Sequence, residues 1–369
     1  MKPRPFAGLG GWQLARRIVA PALFVGALFV SVFTYEPPPP PTLEELALDE
    51  VTLSGESLGT TWTVRVVGDA PDESGQRALA DAISEALDEV DRLMSTWKED
   101  SELSRLNRWQ DKAPFTVSPP TMAVLMRAQQ VWRETDGAFD VTVMPLVRLW
   151  GFGGAEPTEQ VDHEEWLDVT HNVGQEFLTL DHQAATVTKS NLVVTADLSA
   201  IAKGYAVDRV SQAVRKLGYD DHMVEVGGEV RASGHNRLKQ PWRIAIEKPD
   251  TMTRTTEEVV ALKNLSMATS GDYRNFREVD GKRVSHLIDP RSGLPVEHTL
   301  ASATVLHPEC AFADAYATAL MVLGPEQGLA FAEQLELPVL LLVREADGTF
   351  THRASSTFSA HVSAPPPSG

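Results

Sequence analysis

The stretch Cys310-Ala-Phe-Ala-Asp-Ala-Tyr-Ala-Thr-Ala-Leu320 constrains this chain more than any other. Its alanine content, with Leu320, Met321 and Leu323 close behind, predicts a helix that packs tightly against its neighbours. Asp314, Ala317 and Thr318 stand at i, i+3 and i+4, so they share one helix face. That face sets a carboxylate and a hydroxyl in an apolar wall, and a lone carboxylate there is costly to bury without a partner. Mg²⁺ suits such a pair, because it takes oxygen ligands and usually one or two carboxylates with waters and phosphates. A local cap or ion pair for Asp314, with Thr318 bonded back to its own helix, is the simpler account of this segment alone.

The 369 residues suffice for one large core or two smaller ones. Hydrophobic content of 43% and charged content of 23% suit a folded enzyme. The net charge of −18, from 33 basic and 51 acidic residues, argues against nucleic acid as a partner. A polyphosphate bound in that field needs a cation and local amides to offset it.

The N-terminus is a separate device. Residues 1–17, with Lys2, Arg4, Arg16 and Arg17, form a basic segment expected on the inner side of a membrane. Residues 18–35 are uncharged and apolar, a transmembrane anchor or signal segment. Residues 36–54, opened by Pro37 to Pro41, read as a Pro-rich linker. No cysteine follows the apolar run, so a lipid-modified N-terminus is not expected, and the single Cys310 has no partner for an internal disulfide. Residues 55–362 read as one body, and the Pro/Ser-rich 363–369 as a disordered tail.

Within the body, Thr61 to Val67 alternates as a strand does, after a bend that Gly59 permits. Gln76 to Met94 reads as an amphipathic helix. It leads to Ser95-Thr-Trp97, where the indole is either a core anchor or a ligand platform. Ser118-Pro119 starts a helix that stops at Asp136-Gly137. Gly137-Ala138-Phe139-Asp140 and the Gly/aromatic run to Gly154 suit either a flat ring on close backbone or a plain buried loop. Residues 155–173 read as an insertion or surface helix. A strand-like Leu192 to Ala196 precedes Asp197-Leu-Ser-Ala200-Ile-Ala-Lys203-Gly204, with Ser199 as the expected N-cap of a helix ending at Gly218. Lys203 falls in the early turns, where a cation opposes the helix dipole, so an accompanying phosphate would explain it. Strands are expected at His222–Val226, Glu229–Gly234, Trp242–Glu247, from Leu265, at Ala301–Leu306 and at Pro338–Arg344, with hairpins at Asp280-Gly281 and Asp347-Gly348. Mixed strands and helices without regular βαβ alternation indicate an α+β fold in one compact catalytic body, preceded by one transmembrane helix.

Together these segments resemble the FAD:protein FMN transferases of the ApbE family. The likeness runs from Ser57 to Leu323 and rests on Leu58-Gly-Thr-Thr61, Ser95-Thr-Trp97, Gly137-Ala-Phe-Asp140, Asp197 to Gly204, Gly227-Gly-Glu229, Thr269-Ser-Gly-Asp-Tyr273, His286-Leu-Ile-Asp-Pro290 and Ala313 to Thr318 in that order. Leu58 stands where members often carry Met. The resemblance implies an Mg²⁺ enzyme that cleaves FAD, releases AMP and joins FMN by a phosphoester to a Thr or Ser hydroxyl of a target protein. It implies metal ligation by the side chains of Asp314 and Thr318 and by main-chain oxygens of Ala200 and Ala317. It implies FAD contacts at Leu58, Trp97, Ala138, Phe139, Asp140, Asp197, Lys203, Tyr273 and Ile288. His286 is the candidate base, with Asp314 as its catalytic companion; a strand-end histidine bonding Asp289 or a carbonyl is the structural alternative. The implied acceptor is an extracytoplasmic subunit of a membrane redox complex, and the implied setting a bacterial inner membrane with the body facing the periplasm. An FAD pyrophosphatase and a non-enzymatic, membrane-tethered flavin binder are the competing readings.

Overall fold

Alternating apolar residues build one sheet of eight strands, every neighbouring pair antiparallel, whose order in space is their order along the chain. The computed structural model describes residues 48–69, 71–156, 161–249, 256–272, 276–279 and 282–362, with backbone alone for 276–279 and 282–284. The strands are β1 (Glu50–Ser57), β2 (Thr60–Val67), β3 (His222–Val226), β4 (Glu229–Ser233), β5 (Leu265–Gly271), β6 (Leu300–His307), β7 (Val339–Arg344) and β8 (Phe350–Ala354). Among the described residues, seven α-helices stand between them: α1 (Glu73–Met94), α2 (Glu102–Arg108), α3 (Pro119–Glu134), α4 (Met144–Leu149), α5 (His163–His171), α6 (Ser199–Lys216) and α7 (Cys310–Gln334).

The period of two along the strands sorts side chains onto two cores. Val64, Val224, Ala303, Val305, Leu341 and Val343 join the helices in the larger core. Val67, Met223, Leu306, Leu340 and Leu342 face a smaller one, closed by Trp242 and Ile246 of the Trp242–Glu247 strand and by Phe358. The α+β body expected from the sequence is what the chain forms. α7 is apolar on all sides, and such a helix must be buried all round; the residues from Cys310 to Ala317 are all buried. The helix breaks at Gly324, at φ +78°, with Pro325 next.

α6 and α7 cross in closer contact than any side chain at position 204 would allow. A Cβ on Gly204 would stand 2.3 Å from the Cys310 carbonyl oxygen and 2.8 Å from Asp314 Cβ. This glycine is a condition of the crossing.

Three expectations need correction. β1 lies inside the stretch expected as linker, so the body begins at about residue 47. Its weak alternation (Val51 and Leu53 among polar residues) is that of an edge strand, paired only with β2. Leu192 to Ala196 is not a strand; a side chain, Asn107, takes up both main-chain groups of Ala196. Ser199 is not the cap of α6: the Asp197 carboxylate accepts its N–H, two residues ahead. Ser118-Pro119 starts α3 as expected, with Ser118 at its N-cap, although the Ser118 hydroxyl donates to Glu102 rather than accepting a helix N–H. The expected 155–173 surface helix is α5, which buries no residue. Among the described residues no helix is long and apolar enough to cross a membrane. The expected anchor at 18–35, the tail 363–369 and Tyr273 lie outside them.

His222 is fully buried between α6 and β3. Its Nδ1 donates to Tyr219 O at 2.8 Å and its Nε2 accepts the Ser211 hydroxyl at 2.7 Å, which defines the neutral tautomer. Burial pulls its pKa down to about 4, from 6.5. Between those values the unfolded chain binds the extra proton, so stability must fall as pH drops from about 6.5 to about 4 and stay level below. The cost is about 3 kcal/mol. Urea titrations from pH 7 to 4 should show this limb, and His222→Gln should flatten it. Gly204→Ala should destabilise by about 3 kcal/mol or more, read as a lowered urea midpoint, because the added carbon meets backbone that cannot yield.

Candidate functional site

The crossing of α6 and α7 brings three charged groups into one buried place. Asp314 is 2% exposed. Its Oδ2 accepts the Gly204 N–H at 3.0 Å, and its Oδ1 lies 3.5 Å from Lys203 Nζ. In a regular helix the Gly204 N–H points at Ala200 O, so the carboxylate competes with that carbonyl for its donor. Lys203 also meets Glu229 Oε1 at 3.1 Å, from the start of β4. Burial pulls the lysine pKa down, but the Asp314 and Glu229 charges outweigh it and hold the ammonium above its ordinary value. Glu229 is pushed up to about 8, by burial first and then by the Asp314 charge, with Lys203 only partly offsetting them. Two carboxylates thus share one ammonium.

Around this triad the turns close in. Leu58 and Gly59 form a two-residue hairpin loop, both at positive φ (+54° and +73°), and Leu58 packs against the core. The Gly227 N–H donates to Thr61 O at 3.0 Å. A Cβ on Gly227 would come within 2.9 Å of Thr60 and 3.3 Å of Lys203 Cδ, so the Gly-Gly turn lets the lysine stem lie flat on the backbone. One turn along α7, Thr318 Oγ1 is 3.2 Å from Ser270 Oγ at the end of β5. Asp314 therefore has its ion pair, but with another helix, and Thr318 meets β5.

This donor set fits a magnesium ion. It offers oxygen alone, from Asp314, Thr318 and Ser270, and Glu229 Oε2 is buried without a hydrogen-bond partner. Among the described residues no cluster of three or more His, Cys, Asp or Glu forms a metal site. Of the expected main-chain ligands, Ala200 lies in the first turn of α6 and Ala317 on the Asp314 face of α7.

The other expected residues fall into two groups. Asp197, just before α6, accepts the Ser199 N–H on its carboxylate and donates its own N–H to Val141 O at 2.7 Å, which ties the 138–141 loop to the start of that helix. Within the loop, Ala138 and Phe139 are buried, Phe139 in the main core. The Asp140 carboxylate is spent internally: Oδ1 accepts the Thr142 N–H and hydroxyl at 2.7 and 2.6 Å, and Oδ2 the Gln175 N–H at 2.9 Å. Burial raises its pKa and those bonds oppose the shift. Ile288 is buried with Leu146 and Val173. These residues shape the loop, and their side chains are turned to the protein. Trp97 is the opposite case: at 86% exposure it is no core anchor, and its ring faces Gly154. His286 stacks edge-on with Phe152 at 6.3 Å, while Asp289 is engaged by Arg291 through two bonds of 2.9 and 2.7 Å.

Glu229 and Ser270 were not among the expected site residues. Both stand inside motifs already singled out, Gly227-Gly-Glu229 and Thr269-Ser-Gly-Asp-Tyr273, so the signal was there. Only the sheet, which brings β4 and β5 together, shows that they converge on α7.

A sequence profile of the ApbE family matches residues 58–341. The chain is 42% identical over 320 residues to the FAD:protein FMN transferase of Vibrio cholerae, covering 86% of this chain and 95% of that one. It is 36% identical over 329 residues to the FAD:protein FMN transferase of Escherichia coli K12, covering 88% and 92%. Among solved structures, the flavin transferase ApbE from Vibrio cholerae superposes with a TM-score of 0.77 at 42% identity, over 85% of this chain and 99% of that one. The apo flavinyl transferase ApbE of Pseudomonas stutzeri does so with a TM-score of 0.77 at 34% identity, over 87% and 99%.

Lys203→Met leaves Glu229 and Asp314 facing each other without a cation. It should cost about 3–5 kcal/mol at pH 8. The loss should shrink as pH falls towards 5, because Glu229 then takes up a proton; paired urea titrations at the two pH values would read this.

Proposed function

The chain belongs to the ApbE family and is an FAD:protein FMN transferase, and from that premise we propose that it acts with Mg²⁺ to join FMN to a Thr or Ser hydroxyl of an acceptor protein, releasing AMP. The observation that carries this is the Lys203–Asp314 pair, held at the crossing of α6 and α7 beside the Thr318 and Ser270 hydroxyls. In a chain of net charge −18, an ammonium and a set of oxygen ligands side by side are what a pyrophosphate requires.

The chemistry balances simply. The acceptor hydroxyl oxygen bonds to the FMN phosphorus, the bond from that phosphorus to the bridging oxygen breaks, and AMP leaves with that oxygen. The hydroxyl proton passes to a base, for which His286 is the candidate. Lys203 orients the pyrophosphate and offsets the charge that gathers on the leaving phosphate. Asp314 keeps Lys203 charged and, through Gly204, keeps α6 in place. Asp314 and Thr318, with the Ala200 and Ala317 carbonyls, would hold the magnesium ion. When bound, the ion neutralises oxygen charge on the substrate. Trp97 offers its exposed face to a flat ring. In-line displacement of this kind asks mainly for positioning and electrostatics.

We further propose that residues 18–35 tether the enzyme to a membrane, with Lys2, Arg4, Arg16 and Arg17 on the inner side, and that the acceptor is an extracytoplasmic subunit of a membrane redox complex. The charge asymmetry around the apolar run supports this placement. Protease access to the body in spheroplasts, but not in intact cells, is the expected result.

Incubation with FAD, Mg²⁺ and an acceptor domain should give a fluorescent protein band that survives denaturation, with one AMP per label. AMP without label would make the enzyme a pyrophosphatase, and FAD bound but intact would make it a carrier. Asp314→Asn keeps an acceptor for the Gly204 N–H and removes only the charge. It should lower transfer roughly 1,000-fold while the melting temperature stays close to that of the wild type. His286→Ala should slow turnover by about 100-fold or more with little change in FAD affinity; the reverse pattern would exclude it as the base.

A further inference from the structure

Asn107 makes a contact that the transferase reading does not yet use. It lies in the last turn of the short helix α2, and its side-chain amide takes both main-chain groups of Ala196, 89 residues away: Nδ2 donates to the Ala196 carbonyl at 2.8 Å, and Oδ1 accepts the Ala196 N–H at 2.8 Å. A paired donor and acceptor fix one residue, through the peptide units on either side of its Cα, as a strand partner would. Ala196 directly precedes Asp197, whose carboxylate accepts the N–H of Ser199, the first residue of α6. Ala200 and Lys203 follow within the first turns of that helix.

The other side of the joint is equally fixed. Ser101 Oγ and Ser104 Oγ both donate to Ser95 O, at 2.6 and 3.3 Å, and so close the loop that presents Trp97 onto α2. Asn107 O in turn accepts from Lys189 Nζ at 3.2 Å, as does Trp109 O. Lys189 is 1% exposed, and no ion pair with a carboxylate accompanies it among the described residues. Burying an ammonium on two carbonyls is costly, and an apolar residue would serve packing at least as well. Features that cost stability for a fixed geometry belong to places where geometry matters.

We propose that Asn107 is a positioning residue for flavin transfer, setting the start of α6 at a fixed distance from the Trp97 loop so that the ring and the pyrophosphate of one FAD molecule are held in register. The role rests on the transferase reading above. Asn107 touches neither end of the substrate; it acts through Ala196 on one side and α2 on the other. Loss of the clamp lets the α6 end move while the indole face and the triad stay intact. Binding should then survive and alignment should not, since a displacement of about 1 Å costs on the order of 100-fold in rate.

The test uses the full chain with acceptor, FAD and Mg²⁺, measuring kcat, the KM for FAD, FAD affinity by flavin fluorescence, and the melting temperature. Asn107→Ala should lower kcat by about 100-fold, with FAD affinity changed by no more than about threefold. Ile246→Ala, in the smaller core, is the control: it lowers the melting temperature without touching the joint, and its kcat should stay near that of the wild type. An Asn107→Ala kcat equal to the wild type's, or a loss that Ile246→Ala reproduces, overturns the role. If Asn107→Ala does not fold, Lys189→Met loosens the same joint from the other side, and the same split between kcat and affinity decides. No labelling by the wild type takes down the transferase reading and this role together. Labelling by the wild type with variant turnover unchanged overturns the role alone.

Discussion

The approach of two helix backbones at Gly204 is the constraint on which the rest of the molecule depends. Because no side chain intervenes, the Asp314 carboxylate reaches across α7 to a main-chain N–H of α6. The same carboxylate then faces Lys203, one residue before that glycine. One side chain thus joins two helices and sets the charge of the site. Burial of this kind is tolerable only with partners, and Asp314 has a donor on one oxygen and a cation on the other. Glu229 is less fully served: Oε1 has the lysine and Oε2 has no partner. Burial and the Asp314 charge therefore hold its pKa up, to about 8.

Much of the fold was legible because it rests on local periodicity. α1 and α3 follow from helical spacing and turn chemistry, and the Phe276–Val279 and Lys282–Ser285 hairpin from Asp280-Gly281. What failed had non-local causes. Leu192 to Ala196 has the composition of a strand, yet its partner is an asparagine side chain, which no propensity records. β1 is an edge strand with few apolar residues, so it resembled the linker before it. Ser199 looks like a cap, but it is the first residue of α6, and its N–H is taken by the Asp197 carboxylate.

The candidate site divides in the same way. Asp314 and Thr318 share a helix face by simple arithmetic, and Lys203 stood out as a cation at the wrong end of a dipole. Its true compensation, two carboxylates from α7 and β4, needed the sheet to be seen. For Asp140, Phe139 and Ile288, motif position says that the loop matters without saying which atoms face outward. Their side chains are spent on internal bonds and packing: Asp140 on Thr142 and Gln175, Phe139 in the main core, Ile288 against Leu146 and Val173.

The sheet in which spatial order repeats chain order has a further consequence. Each excursion, whether 68–221 or 308–338, leaves one strand and returns to the strand beside it. No excursion has to be completed before two others can pair, and the entropy of closing a longer one grows only with the logarithm of its length. Insertions at the outer ends of these excursions therefore leave every strand partnership unchanged. The scaffold can acquire new recognition loops while its roots, where the reactive groups sit, stay where they are.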